Sequence, residues 1–122
     1  MQDEIIRSAW SEYFKTFSRQ NEGRPTMLEF FGDLGAQRQE NQLPLAGISL
    51  ENSGPDAPRI EIMLGGSSPQ DPRHLTHPIT HVSRIFTKPG ADGRDEALKI
   101  EDESGTQTLL RFVALTELSA NN

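Results

Sequence analysis

The chain has 122 residues, a net charge of −6 and no cysteine, which excludes a disulfide framework, a thiolate nucleophile and thiolate-bound metal centres. Acidity of this degree opposes nucleic acid, whose phosphates need Lys and Arg, and it disfavours anionic membranes. Leu, Ile, Val and Phe number 12, 8, 2 and 6, enough for one thin core and hence one domain over residues 1–122.

The start, Met1-Gln2-Asp3-Glu4, carries acid where a secretory signal carries base, and no long apolar run follows. A cytoplasmic protein without a membrane span is expected. Asp3 to Arg7 reads as a lead-in, and Ser8 is a suitable helix N-cap. Trp10, Tyr13, Phe14 and Phe17 follow at helical spacing, with Ser11, Glu12, Lys15 and Ser18 turned largely away from the stripe. Gly23 suits the left-handed position after a helix end, with Arg19 as a cation in the last turns. A helix over about 8–22 is predicted.

Beyond Arg24-Pro25 the pattern becomes β. Thr26 to Phe31 is strand-like, ended by Gly32-Asp33-Leu34-Gly35, and Gln37 to Gln42 fits a loop or an exposed strand. Leu43 to Leu50 is a strand whose Pro44 marks an edge or an entry point. Asn52 to Pro58 is rich in turn formers. Arg59-Ile60-Glu61-Ile62-Met63-Leu64 alternates, with Ile60, Ile62 and Leu64 on one face. Gly65 to Arg73 is a Gly/Ser/Pro loop, Ile79 to Phe86 a β-branched strand, and Lys88 to Asp95 a turn. Glu96 to Phe112 reads as a closing hairpin around an acidic Gly turn, and the Asn121-Asn122 end as loose. The sum is an α+β domain: one N-terminal helix packed on a twisted antiparallel sheet, or a small open barrel, of about five to six strands.

These elements carry a resemblance. Trp10-Ser11-Glu12-Tyr13-Phe14 with Phe17-Ser18-Arg19, Leu43-Pro44-Leu45-Ala46-Gly47-Ile48, Arg59-Ile60-Glu61-Ile62, His74-Leu75-Thr76-His77-Pro78-Ile79 and the Leu98-to-Phe112 hairpin resemble a small bacterial family, domain-of-unknown-function family 5335. The resemblance spans nearly the whole chain. It implies a bacterial single-domain protein and supplies no activity or catalytic residue to carry over.

His74, His77 and His81 stand at spacings of three and four, which on a helix would put three metal ligands on one face. Pro78 pushes His77 out of the helical region, and Ile79, Thr80, Val82 and Ile85 favour extended chain. Extended, His77 and His81 lie ~13 Å apart at ~3.3 Å per residue, too far for one zinc ion. A tight loop is what would unite His74 and His77, with Asp71 or Asp92 as third ligand. Polar histidines beside a strand are the expectation, with no metal and no cofactor.

Gly65-Gly66-Ser67-Ser68 lacks the Gly-Lys-Ser/Thr and the helix of a phosphate loop. Ser67 and Ser68 lack the elbow of a serine hydrolase. The carboxylates at Asp92, Asp95 and Glu96, and at Glu101, Asp102 and Glu103, border glycines and read as solvated turns. No catalytic residue is assigned. The function expected is therefore contact, through self-association as a homo-oligomer or through a protein partner. The aromatic stripe is expected to dock the helix on its own sheet, with Trp10 and Phe14 largely buried. The candidate contact residues are Trp10 and Tyr13, the amphipathic members of the stripe suited to reach the surface, and Leu43 and Leu45 on an exposed edge open to strand addition. The alternatives are a small metal-dependent or hydrolytic enzyme centred on the His74/His77/His81 loop, or a small-ligand binder on the concave face of the sheet.

Overall fold

In the computed structural model, which describes residues 3–32, 35–39, 42–66 and 73–113, the aromatic stripe forms helix α1 (Trp10–Asn21). Trp10, Phe14 and Phe17 are buried, as their spacing requires. The entry differs from the expected Ser8 cap. Ser8 lies in a 3-10 turn, Arg7–Ala9, and Ala9 occupies the cap position without a side-chain hydrogen bond. The reason is tertiary: Trp10 Nε1 donates to the Ile5 carbonyl at 2.9 Å, and Ile5 N–H donates to Ile85 O at 2.9 Å. Those anchors set where the helix begins. At its other end Gly23 adopts φ +85°, as predicted, but its N–H goes to Leu45 O at 2.8 Å.

The described strands number nine and form two sheets, an inventory larger than one sheet of five or six. They are β1 (Asp3–Glu4), β2 (Thr26–Gly32), β3 (Gly35–Gln39), β4 (Leu45–Glu51), β5 (Arg59–Gly65), β6 (His74–Ile79), β7 (Val82–Pro89), β8 (Asp95–Asp102) and β9 (Gln107–Phe112). The large sheet runs β1-β7-β8-β9-β2-β3 and the small one β4-β5-β6. Every pairing is antiparallel. Among the described residues neither sheet closes into a barrel. The class is α+β.

One correction matters for the site. The strand expected over Ile79 to Phe86 is broken between β6 and β7, and the chain changes sheets there. His81 sits at φ +53°, in the left-handed region that non-glycine residues seldom occupy. Three main-chain bonds hold it: His81 N–H to Asp56 O at 3.0 Å, Val82 N–H to Pro58 O at 3.0 Å, and Glu103 N–H to His81 O at 2.9 Å. β-branched composition cannot reveal such a corner, because its partners come from two distant turns.

The core lies between the sheets and under α1. β5 presents Ile60, Ile62 and Leu64 inward, the alternation its sequence shows, and β4 and β6 add Leu45, Ile48 and Ile79. Opposite them stand Leu28, Ile85, Leu98, Ile100, Leu110 and Phe112. The closing hairpin forms as predicted, and its acidic turn is more than solvated. Asp102 Oδ1 accepts Ser104 N–H at 2.9 Å, Ser104 Oγ–H at 2.6 Å and Thr106 N–H at 3.0 Å, so the carboxylate shapes its own loop. No helix among the described residues is long and apolar enough to cross a membrane.

Candidate functional site

The three histidines are dispersed. In a strand, successive side chains alternate between faces, so β6 sends His74 and His77 to opposite sides. His74 is exposed, its ring so close to Gly66 that a Cβ there would come within 2.9 Å of Cε1. His77 turns inward and stacks on Phe30 with ring centroids 4.5 Å apart. Burial pushes its pKa below the usual imidazole value, because desolvation disfavours the cation. His81 occupies the exposed corner. Of the suggested helpers, Asp92 Oδ1 accepts Arg94 N–H at 2.9 Å within its own turn, while Ser67, Ser68 and Asp71 lie outside the described residues, as does the Asn121-Asn122 end. Among the described residues no three His, Asp or Glu side chains approach closely enough to hold a metal ion. The Gly65-Gly66 pair is a close approach: a Cβ on Gly65 would collide with the Arg73 carbonyl.

The proposed contact residues are mostly spent inside. Trp10, Leu43 and Leu45 are 2%, 4% and 1% exposed, since the thin core needs their apolar area. Tyr13 is half-buried, its ring 5.6 Å from Phe14 and 5.7 Å from Phe17. Its hydroxyl makes no hydrogen bond of good geometry, although the Thr87 side chain lies beside it, and burial pushes the phenol up to about 12. Among the described residues Ile6 is the one large hydrophobic side chain left exposed. A broad apolar docking patch is therefore absent from the described surface.

A polar latch that sequence reading missed joins α1 to β8. Buried Asn21 donates through Nδ2 to Phe17 O and to Asp95 Oδ2, both at 2.9 Å. Arg24 donates to Asn21 Oδ1 at 2.7 Å and to Asp95 O at 2.8 Å, its guanidinium 4.0 Å from the Phe112 ring. Desolvation is the main influence on Arg24 and lowers its pKa. No local pattern announces this cluster, since its members are ordinary polar residues brought together from 71 to 74 positions apart. Beside it, a cleft of about 430 Å³ is lined by Glu22, Gly23, Pro44, Leu45, Ala46, Gly65 and Gly66. Its peptide groups are partly bonded to one another, Gly23 N–H to Leu45 O and Gly65 N–H to Pro44 O, and Glu22 is the one charged residue among the described lining.

The sheet edges remain, and their unpaired N–H and C=O groups are templates for another chain. The two sheets have four edges, β1, β3, β4 and β6. The β4 edge, expected to be open over Leu43 to Leu50, is covered. Ser18 Oγ accepts Ile48 N–H at 2.9 Å and lies 3.3 Å from Ile48 O, while Leu45 N–H donates to Arg24 O at 2.9 Å and the Leu45 carbonyl accepts Gly23 N–H at 2.8 Å. Thr26 closes on Leu43 O through its N–H and its hydroxyl, at 3.0 and 2.7 Å. β6 carries Pro78, which has no N–H to offer. β1 is two residues long. β3 is five residues long with the sequence Gly-Ala-Gln-Arg-Gln and pairs with β2 alone. It contains no proline, and no main-chain bond covers its outer side among the described residues.

Fold and site thus define a two-sheet α+β domain in which three edges are blunted and, among the described residues, β3 carries no such cover. The chain belongs to the family of unknown function DUF5335, whose model matches residues 1–121. No curated protein and no solved structure matches it.

Proposed function

We propose that this domain is non-catalytic and acts by protein contact, adding a strand of another chain to β3. The observation that carries the reading is the contrast among edges: helix cover on β4, proline in β6, minimal length in β1, and, among the described residues, none of these on β3. Strand addition also suits a surface whose described residues expose a single large hydrophobic side chain, because affinity then comes from main-chain hydrogen bonds. The dispersed histidines give an enzymatic or metal-dependent reading no assembled centre to rest on, and the contact reading requires no cofactor. A bacterial, cytoplasmic setting belongs to the same proposal, supported by the cysteine-free composition.

The test is photo-crosslinking in the source cells, with benzoylphenylalanine placed at Ala36 of β3 and, as control, at exposed Lys15 of α1. One discrete adduct from position 36, absent from position 15, is expected. Equal labelling from both positions, or none from position 36, would overturn the assignment.

A further inference from the structure

We infer that the stack of His77 on Phe30 is a pH-sensitive clasp between the two sheets, and that acid opens strand β6 locally. The inference goes beyond the contact reading above and does not depend on it. The clasp lies where β6 of the small sheet meets β2 of the large one, with ring centroids 4.5 Å apart and planes at 44°. β6 is the last described strand of its sheet and pairs with β5. The opposite margin of that sheet, β4, is held to α1 through Ser18 and Ile48, groups that do not titrate. On the β6 margin the tie between sheets contains an imidazole.

That ring stands in an apolar row. In register His77 lies opposite Ile62, which is fully buried. β5 turns Ile60, Ile62 and Leu64 to this side, while Arg59 and Glu61 pair with each other at 2.8 Å on its outer face. On β6 itself Leu75 and Ile79 share the inward side with His77. β2 contributes Leu28 and Phe30 and turns Glu29 to the far face, toward Arg111 at 4.0 Å. Opposite Phe30 stand Gln37 of β3 and Thr108 of β9, both uncharged. These strands set no carboxylate of a described residue against the ring. The face of Phe30 attracts a cation, but desolvation is the stronger influence and holds the pKa of His77 down.

The direction of the response follows. An opened β6 gives its imidazole back to water and takes up a proton near the ordinary value of about 6.5, whereas the docked ring takes it up only at lower pH. One proton is linked to opening, so the open fraction rises by up to about tenfold per pH unit below that value. Phe17 on Phe112 at 5.8 Å and Trp10 on the Ile5 carbonyl hold the α1 side without titrating. Opening is therefore confined to the β6 margin, and it uncovers Leu75 and Ile79, a surface that the neutral form withholds.

Amide hydrogen exchange of the full chain, read by NMR at pH 7, 6 and 5 and corrected for intrinsic rates, tests the clasp. Protection of Leu75, His77 and Ile79 should fall by up to about tenfold per pH unit below about 6.5, while Leu98, Ile100 and Leu110 keep theirs. His77→Phe and His77→Gln, neither of which titrates, should both remove the dependence, and His74→Gln with His81→Gln should leave it intact. An equal fall across β8 and β9 would make the effect global and overturn the clasp. So would a fall in β6 that persists in both His77 variants, or a His77 ring that titrates above exposed His81.

Discussion

Ser18 Oγ accepts the Ile48 N–H at 2.9 Å and lies within 3.3 Å of the Ile48 carbonyl, so one helix hydroxyl serves both outward main-chain groups of an edge residue. That relationship converts β4 from an open template into a covered strand. Ser18 lies about 40° round the helix from Phe14 at 100° per residue, on the flank of the apolar stripe, and its small side chain lets helix and strand approach.

Ser18→Ala should therefore cost about 1–3 kcal/mol, the penalty for a part-buried N–H left without a partner. Urea denaturation measures it. The same variant should aggregate more readily on mild heating, because the β4 edge is then uncovered. A loss below a few tenths of a kcal/mol, with unchanged aggregation, would show that water replaces the hydroxyl without consequence.

Asn21 ties α1 to Arg24 and to β8, and removing it leaves Asp95 Oδ2 and the Phe17 carbonyl without its amide donor and Arg24 Nη1 without its acceptor. Asn21→Ala is expected to lower stability by about 2 kcal/mol, as unpaired groups of Arg24 and Asp95 are left partly desolvated. In a double-mutant cycle with Asp95→Ala the losses should be less than additive, with a coupling of about 0.5–3 kcal/mol. Additive losses would mean that the latch is geometric coincidence.

His77 makes stability depend on pH. Burial lowers its pKa in the folded state, so below the unfolded value of about 6.5 the unfolded chain binds the proton more readily. Stability attributable to this residue is present above that value and is lost as the pH falls through it toward the folded pKa. Replacing it by Phe keeps an aromatic ring against Phe30 and removes the titration. The midpoint of His77→Phe should gain on wild type between pH 7 and pH 5, read from denaturation curves at several pH values. A constant difference would place the imidazole in solvent.

Two glycines with positive φ separate strain from collision. Gly23, at φ +85°, has open space where a Cβ would go, whereas at Gly65, φ +114°, a Cβ meets the Arg73 carbonyl. Gly23→Ala should cost about 1–2 kcal/mol, the strain of a left-handed alanine. Gly65→Ala should cost several times as much, since backbone must move in both β5 and β6. Thermal melts of the two variants side by side decide it, and similar losses would show that the β5–β6 junction yields freely.

Much of the fold is legible in the chain because its signals are local. The aromatic spacing of Trp10, Phe14 and Phe17 specifies an amphipathic helix, and the alternation of Ile60, Ile62 and Leu64 specifies a strand with one buried face. The closing hairpin follows from two β-rich runs around Asp102 and Gly105, whose turn chemistry needs no distant partner. Family membership was legible too, since it rests on short runs of sequence. The same locality explains the shortfalls. Ser8 looked like a cap because caps are read from neighbours, yet Trp10 and Ile5 moved the helix start.

What the sequence determined by itself is periodicity, turn chemistry and charge: one helix, antiparallel strands, an acidic cysteine-free surface. What only the tertiary structure decided is which groups meet. Whether Leu43 and Leu45 formed an open edge depended on where α1 came to rest, and Ser18 covered the strand from 30 residues away. The left-handed corner at His81 depended on carbonyls from a turn near Asp56 and an amide at Glu103. The division of His74 and His77 between faces followed once β6 was a strand. That β3 stands last among the described strands of its sheet is likewise a property of sheet order. A strand carries no mark of being last in its sheet, because edge and centre differ in their neighbours and not in their own residues.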